Sequence, residues 1–222
     1  ITLQLKHIFE KEIKKPHLKD LFYEMEMPLV EVLMEMEEEG IAIDSKALAE
    51  YSKELDGTLI DLDSQIKELA GMEFNTDSPK QMGEVLFEKL KISAKAKKTK
   101  TGQYATSEDV LEKHKHDHPI VPLILEYRQL RKLKSTYVDT LPNMCDKTDS
   151  RIHTNFMQTV TATGRLSSNN PNLQNIPIKS EKGREVRKAF VSRNDEYKLM
   201  AVDYSQIELR IIAALSGDKN MI

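Results

Sequence analysis

SKALAEYSKELDGTLIDLDSQIKELAG, residues 45–71, decides how this chain is built. Leu48, Leu55, Leu62 and Leu69 recur every seven residues, with Tyr51, Leu59 and Ile66 between them. Apolar residues at that period fall on one face of a helix, so the segment predicts a long amphipathic helix with a coiled-coil-type seam. Ser45 reads as its cap and Gly71 as its stop. A helix with one apolar stripe needs a partner. The segment from about Pro119 to Leu141 offers one, with Leu123, Tyr127, Leu130, Tyr137 and Leu141 on one face. Two such helices joined by an excursion pack antiparallel, each burying its stripe on the other.

Outward from this pair the patterns are shorter. Residues 1–24 read as a short helical segment. Pro28 at the first helical position opens a helix that stops at Gly40. Pro79 opens another, with Val85, Leu86 and Leu90. Residues 91–105 read as a loop that carries Lys91, Lys95, Lys97, Lys98 and Lys100 without an acid, and helix resumes after Thr106 or Ser107. Past Pro142, Arg151 to Gln158 alternates apolar and polar residues, a strand pattern. The run Lys198 to Val202 reads as a second strand, and a last helix runs from about Ser205 to near Gly217. The expected fold class is mainly α, a long antiparallel helical region to about residue 145, followed by the start of an α+β domain.

Bulk properties narrow the class. The 222 residues hold one large or two small domains. With no Trp, the core must be built from Leu, Ile, Val and Met. The single cysteine, Cys145, excludes a disulfide framework and fits a reducing cytosol. No signal-peptide pattern or membrane-length apolar run is present in these residues. The net charge of -3 argues weakly against a nucleic-acid partner, but it hides an asymmetry. Residues 151–222 hold 11 Lys+Arg against 7 Asp+Glu, and the remainder 22 against 29. A local positive field can bind a polyanion on a mildly acidic chain.

That basic third also carries the polar motifs. Ala201-Val202-Asp203-Tyr204-Ser205-Gln206-Ile207-Glu208-Leu209-Arg210 places a carboxylate at the end of an apolar run, before a helical segment. A hard divalent cation and a phosphate-bearing substrate would suit such a place. The same residues also read as a capping box, Ser205 at N-cap and Glu208 at N3. Upstream, Thr161-Ala162-Thr163-Gly164-Arg165-Leu166-Ser167-Ser168 and Pro171-Asn172-Leu173-Gln174-Asn175-Ile176-Pro177 are dense in hydrogen-bonding side chains. On composition alone they are a turn-rich polar loop.

Taken together, these motifs resemble the family A DNA polymerases, of the bacterial DNA polymerase I type. The resemblance covers nearly the whole chain. It begins with Glu26-Met27-Pro28-Leu29-Val30-Glu31-Val32-Leu33 and Met36-Glu37-Glu38-Glu39-Gly40-Ile41. It continues through Phe74-Asn75-Thr76-Asp77-Ser78-Pro79-Lys80-Gln81, Lys98-Thr99-Lys100-Thr101-Gly102, Tyr127-Arg128-Gln129-Leu130 and Lys132-Leu133-Lys134-Ser135-Thr136-Tyr137. Each match is weak alone; their order and spacing are specific.

The resemblance implies the tail of an exonuclease-like domain over 1–25, a helical thumb over 26–145, and the first part of a palm over 146–222. It implies a DNA-directed DNA polymerase that adds deoxynucleotides to a primer 3′ end in replication and repair, by a two-metal mechanism with Mg²⁺. Asp203 would be the catalytic carboxylate and a metal ligand, with the Tyr204 carbonyl beside it. Gln206, Ile207 and Glu208 would line the nucleotide pocket, Glu208 excluding a ribose 2′-hydroxyl. Thr161, Arg165, Asn172, Gln174 and Asn175 would face the duplex beside the primer terminus. Arg and amide donors there can read minor-groove shape without reading sequence, because its N3 and O2 acceptors are nearly degenerate. Arg128, Lys132, Lys134, Ser135 and Thr136 would contact duplex phosphates, and Lys97, Lys98 and Lys100 would lie at a thumb tip that tracks the duplex. The implied partners are primer-template DNA and deoxynucleoside triphosphates, with no membrane and no obligate protein partner. The implied location is the bacterial cytoplasm, at the nucleoid.

Other features weigh less. His114, His116 and His118 with Asp117 alternate in a polar segment, a spacing that does not converge ligands on a helix face, so no metal centre is expected there. Cys145 has no CxxC partner, and no Walker A motif is present. Lys179 stands where many family members carry arginine, which keeps charge but not bidentate geometry. Met157 stands where a polar residue is more usual. The chain begins at Ile1 and reaches Ile222 soon after Asp203, without a fingers helix or the palm's second carboxylate motif. The expectation is therefore a piece of a polymerase, inactive alone. The alternative is a non-catalytic duplex-DNA-binding or scaffold module.

Overall fold

Burial of the 45–71 seam organises the molecule. A computed structural model describes residues 1–93, 96–178 and 180–222; Lys95 of the lysine run and Lys179 lie outside the described residues. Helices α1 (Thr2–Ile13) and α2 (Pro16–Asp20) lead through a π-helical turn, Leu21–Glu26, into α3 (Met27–Glu39). Strand β1 (Ile41–Ile43) precedes α4 (Ser45–Ala70). Helix α5 (Pro79–Glu84) continues as a π-helical turn, Val85–Lys89. Helix α6 (Glu108–Glu112) then precedes α7 (Ile120–Leu133), which passes into a third π-helical turn, Lys134–Val138. Strands β2 (Arg151–Ile152), β3 (Asn155–Met157) and β4 (Ser167–Asn169) follow. Helix α8 (Glu181–Lys188), β5 (Phe190–Val191) and α9 (Ile207–Ser216) complete the order. Two compact units result, Ile1–Val191 and Ser192–Ile222.

In the first unit α4 and α7 pack on each other, and side-chain bonds show their sense. Lys134, just past α7, meets Ser52 and Asp56 near the start of α4. Tyr127, two turns earlier, donates to Asp77, and the neighbouring Thr76 bonds Asp63 near the far end of α4. The helices are antiparallel, as their stripes predict. Leu48, Leu55, Ile66, Ile120, Ile124 and Leu141 are fully buried between and around them. The mainly helical class holds. The seam itself drifts: Leu69 is 36% exposed and Ala70 takes its place at 2%. A strict seven-residue repeat rotates about 20° per heptad on a straight 3.6-residue helix, so the last leucine swings off the face.

Local chemistry corrects several boundaries. The cap of α4 is Asp44, not Ser45; its carboxylate accepts from Lys46 N at 3.0 Å and Ala47 N at 2.9 Å. A carboxylate there also complements the positive helix end. Gly71, at φ 61°, ends the helix in the left-handed region that glycine tolerates. Pro28 stands at the second position of α3, as a helix-opening proline does, but the chain before it is already wound in the turn Leu21–Glu26. Proline lacks an N–H and crowds the carbonyl four residues back. The preceding turn widens instead, and Met27 N–H reaches back to the Phe22 carbonyl. The alternating run Arg151 to Gln158 is not one strand. It breaks at His153 and Thr154, whose side chains bond the carbonyls of Glu37 (2.7 Å) and Pro171 (2.7 Å).

Three short segments far apart in sequence make an antiparallel sheet in the order β2-β1-β5. Ile41 pairs with Ile152, and Ile43 with Phe190. A second sheet pairs β3 with β4. The expected division near residue 145 is thus bridged by strand pairing. Lys198 to Val202, expected as a strand, has no ladder partner among the described residues. Leu199, Met200 and Val202 are 57%, 85% and 81% exposed, and a lone strand without a covered face is not stable.

Candidate nucleic-acid interface

Helix α7 presents its polar side to an open groove of about 970 Å³. Arg128 and Lys132 line it at four-residue spacing, which keeps them on one helical face, and Thr136 joins them from the π-helical turn that follows. Asn175, from the turn Leu173–Asn175, lines it from the other side with Lys182. The groove is not uniformly basic, because Glu108, Glu112, Glu126 and Glu181 also line it. A neighbouring hollow of about 520 Å³ shares Arg128 and Lys132 and adds Ser135, Arg131, Thr106, Ser107, Thr76 and Asp77. Four of the five expected phosphate-contacting residues therefore meet in one region.

The fifth does not. Lys134 is buried, at 7% exposure, and its ammonium donates to Ser52 (2.7 Å) and Asp139 (2.8 Å), with Asp56 at 3.4 Å. Burial alone would raise the Asp139 carboxyl, but hydrogen bonds from Lys134 and Ser52 outweigh it and hold its pKa below the usual carboxylate value. The π-helical turn directs this lysine inward, so its charge is spent inside the protein. Arg128 is half committed. Its guanidinium donates to the Thr106 carbonyl and, at 3.2 Å, to the Thr106 hydroxyl. Burial pulls its pKa down, yet an arginine stays charged there.

Sequence reasoning missed Thr76, Thr106 and Ser107, which sit on turns remote from α7. The signal was present: Ser78 and Ser107 stand immediately before short helices, in the cap positions of α5 and α6. What the sequence could not show is that both turns face the same stretch of α7.

The polar loops hold themselves in shape. Asn172 Oδ1 accepts from Gln174 N at 3.0 Å and from Ser168 Oγ at 3.3 Å. Gln174 Nε2 donates to the Leu166 carbonyl at 3.1 Å, and its Oε1 accepts from Ser168. The Thr161 hydroxyl donates to the Arg165 carbonyl across a turn at Gly164, where φ is 74°. Arg165 is exposed and does not line the groove. Lys97, Lys98 and Lys100 stand apart from it too. They lie on a short antiparallel turn in which Lys98 bridges to Tyr104 and its ammonium rests 4.6 Å from that ring. His114 pairs with Asp117 at 2.7 Å while His118 accepts from Ile120 N, so these histidines do not converge.

The second unit carries Asp203, Tyr204, Gln206, Ile207 and Glu208. Asp203 and Tyr204 are exposed on an irregular segment. The capping box that these residues offer as an alternative reading is not formed. The cap of α9 is Gln206, in the left-handed region at φ 51° with no side-chain cap bond, and Ser205 instead accepts from Arg210 Nε through its carbonyl at 3.0 Å. Glu208 therefore sits at the second helical position rather than the third. Mg²⁺ takes a near-octahedral set of oxygen ligands. Among the described residues no three His, Cys, Asp or Glu side chains gather in a group. Asp203 with the Tyr204 carbonyl is a partial donor set, and these residues alone do not fit a two-ion centre.

The groove thus gathers cations, hydroxyls, amides and carboxylates on a helical scaffold. The sequence profile of DNA polymerase family A matches residues 45–222, and the chain belongs to that family. It is 50% identical over 219 residues to DNA polymerase I of Synechocystis sp. and 48% identical over 212 residues to that of Bacillus subtilis. These alignments cover 98% and 96% of this chain but only 22% and 24% of those proteins. The chain thus spans about a quarter of the length of these curated relatives. Among solved structures, the POL domain of Pol1 from M. smegmatis in complex with DNA primer-template and dNTP superposes with a TM-score of 0.86 at 42% identity, over 99% of this chain and 38% of that one. No helix among the described residues is long and apolar enough to cross a membrane.

Proposed function

We propose that this chain is the thumb and the first part of the palm of a DNA-directed DNA polymerase, preceded over 1–25 by the tail of an exonuclease-like domain. The whole protein adds deoxynucleotides to a primer 3′ end during replication and repair. One observation carries the reading: Arg128 and Lys132 of α7, with Thr136 of the π-helical turn that follows, share a groove with Asn175, nearly forty residues on. In this reading the cations and hydroxyls take the duplex phosphates, and the amides of Asn172 and Asn175 with Arg165 face the minor groove. Phosphate contacts of that kind set register without reading sequence. Asp203 and the Tyr204 carbonyl would supply part of the oxygen donor set for Mg²⁺, which when bound would supply activation of the primer hydroxyl. Gln206, Ile207 and Glu208 line the deoxynucleotide pocket.

The partial donor set around Asp203 favours a second reading for these 222 residues by themselves, a duplex-binding module without catalysis. Both readings predict weak, sequence-neutral duplex binding. With roughly 3–5 phosphate contacts, log affinity should fall against log salt with a slope of about -3 to -5. A flat salt dependence would sink the interface. Primer-extension assays separate the readings: the isolated chain should show no Mg²⁺-dependent incorporation, and incorporation abolished by Asp203→Ala would overturn the inactive-alone reading.

A further inference from the structure

The loop that brings Asn175 to the groove is short and irregular, and it is held by side chains of two other elements: Tyr137, which also lines the groove, and Arg187, which does not. The Tyr137 hydroxyl donates to the Asn175 carbonyl at 2.7 Å. Arg187, in the last turn of α8, donates Nη2 to the Ile176 carbonyl at 2.9 Å and Nε to the Pro177 carbonyl at 3.3 Å. Three successive carbonyls of a segment without a ladder are thereby satisfied, two of them by one planar guanidinium. Gly183, on the same helix, closes the gap. A Cβ there would meet Pro177 Cβ at 2.6 Å, the Pro177 carbonyl at 2.9 Å and the α8-capping Ser180 hydroxyl at 2.9 Å. Ile176 is pressed into the core at 7% exposure.

We propose that Arg187, with Tyr137 and Gly183, is a positioning residue for the duplex interface. It fixes the backbone of Leu173 to Pro177 so that the Asn175 amide is presented to the groove at a set height. This rests on the duplex-binding reading above. The fork of arginine is needed because two carbonyls are held at once, which a lysine ammonium on a flexible stem does less well. Neither Arg187 nor Gly183 lines the groove.

The test uses the 222-residue chain and two duplexes that differ only in adenine against 3-deazaadenine, which removes the minor-groove N3 acceptor. Wild type should prefer the adenine duplex by about fivefold, the worth of one hydrogen bond. Asn175→Ala and Arg187→Met should both bring that ratio to near one, and Arg187→Lys should restore part of it. Lys132→Ala should weaken binding to both duplexes equally and leave the ratio alone. An Arg187→Met variant that keeps the full preference overturns the positioning role while leaving the duplex reading intact. Absence of duplex binding by wild type at low salt overturns the duplex reading instead. Amide exchange over residues 173–178 then decides the mechanical part without DNA. Faster exchange in Arg187→Met, and in the milder Tyr137→Phe should the first variant fail to fold, supports the buttress; unchanged exchange refutes it.

Discussion

Lys132 and Lys134 are two residues apart and have opposite surroundings. Lys132 is exposed on the groove, whereas Lys134 is enclosed with Asp139, Ser52 and Asp56. Lys132→Ala should lower duplex affinity and flatten the salt slope by about one, with little change in melting temperature. Lys134→Met should do the reverse. It leaves half-exposed carboxylates without their cation, so a loss of about 1–3 kcal/mol is expected, less than for a fully buried pair. Titration by salt alongside thermal unfolding of the two variants checks both. His153 adds a pH dependence. Its Nδ1 donates to the Glu37 carbonyl and its Nε2 pairs with Asp149. The Glu37 bond raises its pKa first, against some desolvation, and Asp149 raises it further. A raised histidine pKa stabilises fully below the unfolded value, about 6.5, and the contribution is lost as pH rises through the folded value. The stability gap between wild type and His153→Gln should therefore narrow as urea titrations move from about pH 6 to about pH 8.5. A gap that widened would show that the imidazolium is not the bonded form.

The α4–α7 pair obeys its stripe, and its exceptions are informative. Leu55→Ala, at a site with no exposure, should cost about 2–5 kcal/mol. Leu69→Ala, at the drifted end of the same heptad series, should cost under about 1 kcal/mol. Equal losses in chemical denaturation would mean that the seam does not drift. The two long helices, the αL glycine at Gly71 and the proline-led α5 were legible because each rests on a periodic or strictly local rule. The cap was misread because Asp44 and Ser45 are both good caps, and only geometry chooses between them. The strand at Lys198 to Val202 was misread because an apolar run reports burial only if something lies against it. In the site, Arg128, Lys132, Ser135 and Thr136 were named by the family resemblance, not by composition or spacing, and the structure gathers them in one region. The inward turn of Lys134 was not legible, since a π-helical turn changes the phase by about a full residue and no composition rule announces it.

At the scale of the molecule, the first unit holds a continuous core from Leu48 to Ala189 together with the whole of the groove. A chain ending at Val191 should therefore unfold cooperatively and keep its salt-dependent duplex affinity. Loss of either would mean that the groove does not depend on this unit alone. The sheet that closes the unit has a temporal consequence. Its central strand, Ile41–Ile43, is made early, yet its partners Ile152 and Phe190 lie roughly 110 and 150 residues later. At about 5–20 residues per second on a ribosome, this strand waits about 5–22 s with both edges unpaired, and about 7–30 s before the second is covered. Such an edge is a template for pairing with another nascent chain. Glu37, Glu38 and Glu39 on one side and Asp44 on the other bracket it with negative charge, the placement that keeps like strands apart. Pulse-labelling during refolding should find the Ile41 to Ile43 amides protected after those of α4, and neutralising the three glutamates should raise aggregation during synthesis more than it lowers the stability of the finished fold.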